Sequence, residues 1–209
     1  MKKIIFGFLL SVTLTGFSQG IKYTKNDTIR YIVKNEIPRF FAGTFWTGIE
    51  FPLQNKKSIY ISGIATYGSN FDSDRELIGY GGEFQYRSYL GKGNFNTNYP
   101  IYMAAQLMYR HINRYVRTVS DYNTDPTTFI SNPIYTESKD AFNVYYAGLL
   151  VGCQVFFNQI FTVDVNFGGG LRLSQIKGEK SFTKYKGIGE LDYSGVVPRF
   201  GVVIGLIQH

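Results

Sequence analysis

The chain has 209 residues, 22 Lys and Arg against 15 Asp and Glu, one cysteine and 23 glycines, and aromatic residues make up 17%. A single cysteine, Cys153, excludes an intramolecular disulfide framework. The basic balance raises nucleic acid as a partner, but Lys56, Lys57, Lys92, Lys139, Lys177, Lys180, Lys184 and Lys186 fall between apolar-patterned segments, with no basic helix and no aromatic-basic RNA-binding motif, so no nucleic-acid role is expected.

Residues 1–18 read as an export signal. Lys2 and Lys3 precede an apolar run from Ile4 to Leu14, and Gly16 and Ser18 stand at −3 and −1 of a cut before Gln19. The apolar run is shorter than the roughly 20 residues a spanning helix needs. Without Lys2 and Lys3 the remaining chain keeps a charge of +5, and its length suits one domain. Residues 19–38 form an N-terminal segment in which Ile29, Tyr31 and Val33 alternate with Arg30, Ile32 and Lys34. This reads as a short first strand over 28–34, ended at Pro38.

From residue 39 to 209 the pattern is regular and has period two. Phe41, Gly43, Phe45, Thr47, Ile49 and Phe51 oppose Ala42, Thr44, Trp46, Gly48 and Glu50. Further strands carry Ile59 to Tyr67, Ile78 to Arg87 and Ile101 to Arg110. A polar segment, Asn113–Asp140, interrupts the pattern before it resumes from Tyr145 to Val155. Asn158-Gln159 then turns into Phe161–Ser174, where Phe161, Val163, Val165, Phe167, Leu171 and Leu173 share one face, and Thr162, Asp164, Asn166, Gly168, Gly170 and Arg172 share the other. After a second polar segment, Ile176–Tyr193, the last strand sets Phe200, Val202, Ile204 and Leu206 against Arg199, Gly201, Val203 and Gly205. Such alternation marks strands with one apolar and one polar side.

Seven strands plus the one near 28–34 make eight. Connections at Pro52–Lys56, Gly91–Asn98 and Asn158–Gln159 are short; those at Ser69–Arg75, Asn113–Asp140 and Ile176–Tyr193 are longer. That asymmetry fits an all-β, antiparallel, up-and-down transmembrane β-barrel with short periplasmic turns and longer outer loops. A soluble barrel would alternate in the same way, and the polar face separates the two. It is rich in glycine (Gly48, Gly79, Gly81, Gly148, Gly152, Gly168, Gly170, Gly201 and Gly205) rather than in Lys, Glu and Thr. A narrow lumen calls for small residues between large polar ones. The apolar face carries no charge across its centre, and its aromatics gather in two groups. Phe51, Tyr86, Tyr99, Phe157 and Phe161 lie near the short turns, and Phe41, Tyr67, Tyr80, Tyr109 and Tyr145 near the other end, as at the two interfaces of a bilayer.

The lumen-facing polar residues are Glu50, Glu83 and Asp164 against Arg87, Arg110, Arg172 and Arg199, with Gln106 among them. Near balance predicts a structural network of ion pairs that plugs the barrel, because a buried charge persists only when paired. Glu83 and Arg87 on one strand and Gln106 and Arg110 on the next place such pairs within cross-strand reach. Catalytic, cofactor and metal sites are not expected. His111 falls at an outer strand end on the apolar parity, no nucleophile motif surrounds Ser120, Asp121 or Asp125, and no ligand-spaced cluster occurs. Cys153 reads as a small hydrophobe on the apolar face.

Three stretches, Gly48–Ser58 (G-I-E-F-P-L-Q-N-K-K-S), Gly82–Leu90 (G-E-F-Q-Y-R-S-Y-L) and the Gly148–Leu173 hairpin, resemble small Bacteroidota-type outer-membrane β-barrel proteins, a group that includes families of unknown function. The plan is more distantly similar to outer-membrane protein A and X barrels. Such barrels often end in an aromatic residue, whereas this chain ends Ile207-Gln208-His209. The resemblance implies location in the cell outer membrane, with outer-membrane lipid and the barrel-insertion machinery as partners. The loops at 113–140 and 176–193 mix aromatics with polar groups, as binding loops do, which gives a structural or adhesive role in which they meet an extracellular ligand or protein, or simply cap the outer rim. A small transport pore is the alternative, and a soluble periplasmic or secreted ligand-binding barrel the one after that.

Overall fold

The computed structural model describes residues 29–41, 43–69, 75–90, 101–124, 131–157, 160–177 and 193–209. Eight strands follow in chain order: β1 (Tyr31–Glu36), β2 (Thr44–Leu53), β3 (Lys57–Ser69), β4 (Arg75–Leu90), β5 (Ile101–Thr124), β6 (Ser131–Phe157), β7 (Phe161–Ile176) and β8 (Gly195–Gln208). Each pairs antiparallel with its neighbours, and β1 closes on β8 from Tyr31↔Gln208 to Glu36↔Val203, giving a closed up-and-down barrel. The weak first strand is real and lies two to three residues later than its sequence pattern suggests. It ends where α1 (Ile37–Phe41) turns the chain back towards β2, with Pro38 tolerated in the first turn of that helix.

The polarity is inside-out relative to a soluble domain. Leu149, Phe167 and Phe200 are 66%, 67% and 61% exposed, whereas Lys34, Glu50, Arg87 and Asp164 are wholly buried. Every second residue follows this rule, because the pleat sends alternate side chains to opposite faces. The two aromatic groups take the outer face. Phe41, Tyr67, Tyr80, Tyr109 and Tyr145 lie at the end of the long connections, and Phe51, Tyr86 and Phe157 at the other, all exposed; Tyr99 lies outside the described residues.

The segment 113–140 departs from expectation. It continues as paired strand, Asn113↔Ala141 through Thr124↔Ser131, with one register shift between Val119 and Asp121. β4 accompanies β5 only as far as Arg75↔Val116, and β7 accompanies β6 only to Phe142↔Ile176. Beyond those points β5 and β6 form a two-stranded ribbon standing above the barrel. Its sequence carries no sustained apolar alternation, so period-two hydrophobicity does not reveal it. Lys139 consequently sits within β6 rather than in a connection. The other long connections, 70–74 and 178–192, lie outside the described residues.

The inward glycines are required, and the contact that requires them is local. A Cβ on Gly168 would lie 2.1 Å from the Leu149 carbonyl oxygen, and one on Gly81 2.3 Å from that of Tyr109. Curvature brings the adjacent strand's backbone under these positions. At Gly152 a Cβ would meet the Tyr102 ring at 2.3–2.6 Å, and that ring is fully buried and tethered by a hydrogen bond from its hydroxyl to Asp164 Oδ1 at 2.7 Å. Gly152→Ala is therefore expected to cost about 1–3 kcal/mol through overpacking. Outward-facing Gly63, with nothing within 4 Å of its Cβ position, should accept alanine at no cost. Paired urea midpoints check this, and equal midpoints for the two variants would refute it.

Candidate functional site: a lumen of two levels

Towards the short turns, four strands send a charge to the barrel axis: Lys34 from β1, Glu50 from β2, Arg87 from β4 and Asp164 from β7. Lys34 pairs with Glu50 and, at 2.8 Å, with Asp164. Arg87 Nη1 pairs with Glu50 at 3.2 Å and Asp164 at 2.7 Å. Two cations and two carboxylates thus close a neutral ring in which each charge touches both of opposite sign. Tyr89 donates to Glu50, Ser58 donates to Glu50, and Tyr102 donates to Asp164. Lys34 also donates to Gln154 at 3.0 Å, and Arg87 Nε to Gln85 at 2.8 Å. The Arg87 guanidinium lies 4.9 Å from the Tyr60 ring centroid and 4.5 Å from that of Tyr102. Paired, hydrogen-bonded and flanked by rings, these groups satisfy one another where unpaired charges would be untenable. All four charged side chains have 0% exposure, so the lumen is shut at this level.

The second level lies towards α1. Arg39, from the helix, bonds Glu36 at 2.7 Å, and Arg199 reaches Glu83 at 3.0 Å and Glu36 at 3.6 Å. The Trp46 ring is contacted by both guanidiniums, Arg39 at 4.4 Å and Arg199 at 4.8 Å, and its indole N–H donates to Ser62 at 2.9 Å. Arg110 donates to Thr66 at 2.7 Å. Arg172, half-buried, enters from β7 opposite Tyr146.

Every polar residue read from the sequence as lumen-facing does face inward, but the pairing differs from the expectation. Glu50, Arg87 and Asp164 come together; Glu83 and Arg199 meet on the other level. Glu83 and Arg87 do not meet Gln106 and Arg110 across the β4–β5 pair, because the register sets Gln85 opposite Gln106 and Gly81 opposite Arg110. Gln106 is 2% exposed and neither of its amide atoms has a hydrogen-bond partner among the described residues. Sequence reasoning missed Lys34, Glu36, Tyr89 and Tyr102. Lys34 lies on the polar parity of the first strand, and Tyr89 continues the series Glu83, Gln85, Arg87, so carrying the alternation one step further at each strand end would have found both.

On the outer face, His111 Nδ1 is 2.8 Å from Asn143 Oδ1, which also accepts from the Tyr109 hydroxyl at 3.0 Å, and the imidazole lies 5.4 Å from the Tyr80 ring. Ser120 is nine residues further along the same extended strand, about 30 Å away at the usual rise, so the two are not assembled. Comparison of the chain with family models, with curated proteins and with solved structures finds no match.

Proposed function

We propose that the protein is an outer-membrane β-barrel whose lumen is plugged near its short-turn end and whose work is done by its outer surface, the β5–β6 ribbon above all. One observation carries this reading: a continuous apolar exterior encloses an interior of ion pairs. A water-soluble domain rarely leaves so large an apolar surface uncovered, and lipid requires such a surface. Aromatic residues at both margins of that band suit the two bilayer interfaces. The signal-like residues 1–18 and the resemblance to small Bacteroidota-type barrels point the same way. The ribbon, projecting beyond the band, is suited to a binding or adhesive role, as elements standing clear of a rigid scaffold often are. Against the small-pore alternative stands the ring of Lys34, Glu50, Arg87 and Asp164, whose four side chains are wholly buried and paired with one another.

Fractionation tests the location. Recovery in the outer membrane with heat-modifiable gel mobility is the expected result, and recovery in the soluble periplasm would refute it. Planar-bilayer recording tests the plug. Purified protein should give no resolved conductance steps, and steady unitary currents would assign the protein to the pores.

A further inference from the structure

The two levels of the lumen differ in how their charges are matched. In the lower ring each cation touches two carboxylates. On the upper level the described inward carboxylates are Glu36 and Glu83, and both are already engaged, Glu36 by Arg39 and Arg199, Glu83 by Arg199 and Gln85. Among the described residues Arg110 is left with the Thr66 hydroxyl, a neutral acceptor, as its hydrogen-bond partner, although it is 8% exposed. Arg39, Arg172 and Arg199 are close enough for their charges to oppose that of Arg110. Glu36 favours the charge of Arg110, but it is already shared by Arg39 and Arg199, so the described cations outnumber the described carboxylates around this buried guanidinium, an imbalance that a bound anion would offset.

Small residues line the walls beside Arg110. β4 presents Gly79 and Gly81 beside Arg110, so the Arg110 stem lies directly against that wall. Gly168 and Gly170 of β7 likewise carry no side chain, whereas the Tyr146 hydroxyl lies over Gly148 of β6. Below, the closed ring blocks the lumen. Above, among the described residues, the Arg39 side chain is 32% exposed and Arg172 is half-buried, which makes the end of the long connections the side of approach. A planar fork of N–H donors matches the oxygens of a tetrahedral oxyanion better than it matches a spherical halide.

We propose that the upper level of the lumen is a binding site for a small phosphate-like oxyanion, held by the Arg110 guanidinium, with Arg39, Arg172 and Arg199 supplying positive potential around it. The site does not depend on whether the barrel's outer face meets lipid, so its test stands apart from that of the proposed location. The full barrel, folded in neutral detergent free of phosphate, is titrated with inorganic phosphate by calorimetry, with sodium chloride at matched ionic strength as the control. Saturable binding of about one equivalent of phosphate is expected, beyond anything chloride gives. Arg110→Gln should weaken it at least tenfold. Arg114→Gln, at a guanidinium that pairs with Asp140 on the ribbon, should leave it unchanged. If Arg110→Gln fails to give a heat-modifiable barrel, Arg110→Lys decides, because it keeps the charge and loses the fork; several-fold weaker binding is then expected. Phosphate binding no better than chloride, or full affinity in whichever Arg110 variant folds, would overturn the proposal.

Discussion

Arg87→Ala should destabilise the barrel by about 3–5 kcal/mol, the usual result of removing one partner from a buried ion pair. The loss has an identifiable origin. Arg87 lies against both Glu50 and Asp164, so its removal leaves two wholly buried carboxylates to share Lys34. It also removes the cation held between the Tyr60 and Tyr102 rings. A second variant separates charge imbalance from lost volume. Arg87→Met combined with Asp164→Leu removes one charge of each sign and leaves Lys34 and Glu50 paired, so most of the lost stability should return. Equilibrium unfolding in urea, followed by the fluorescence of Trp46, gives both numbers. A single variant as stable as the wild type would show that the ring does not hold the barrel closed.

Leu149→Arg should cost about 2–4 kcal/mol when the barrel is folded into lipid vesicles, the range for a cation near the bilayer midplane. The position is well suited to the measurement. Leu149 is 66% exposed, and its cross-strand neighbours are Ala105 and Gly169, so little packing is lost with the side chain. Any penalty then reports the surrounding medium. On a water-facing strand the same change would fall within about 0.5 kcal/mol, as exposed substitutions usually do. Unchanged stability in vesicles would remove the membrane reading and favour the soluble binding barrel.

Strand existence, facing and order were all legible in the sequence, because each barrel strand contrasts an apolar outside with a polar inside. Phe161–Ser174 is the clearest case, and its alternation predicts inward Asp164 and outward Phe167 as the structure has them. Ion-pair partners were not legible. Arg87 finds Asp164 on a strand three places away around the barrel, a relation set by stagger and closure and invisible in either strand alone. The ribbon was missed for the opposite reason. Residues 117–124 and 131–140 lack the apolar-polar alternation of the barrel strands, so nothing in them distinguishes strand from loop except a sprinkling of Thr, Val and Tyr.

The seam between β1 and β8 sets the order in which the molecule can be made. β1 is the shortest strand, six residues, and its partner on one side is the last strand of the chain. No amount of early hairpin formation can close the cylinder, since the two edges that must meet lie far apart along the chain. Until β8 docks, β1 offers an open edge, and until β7 is in place Lys34 lacks Asp164. Folding is then a late, all-or-none event dominated by the entropy of joining distant segments, and slow for that reason. Where the cylinder breathes, it should do so along this short seam, so that amides of Ile32 to Glu36 exchange with solvent sooner than those of the long β5–β6 pair.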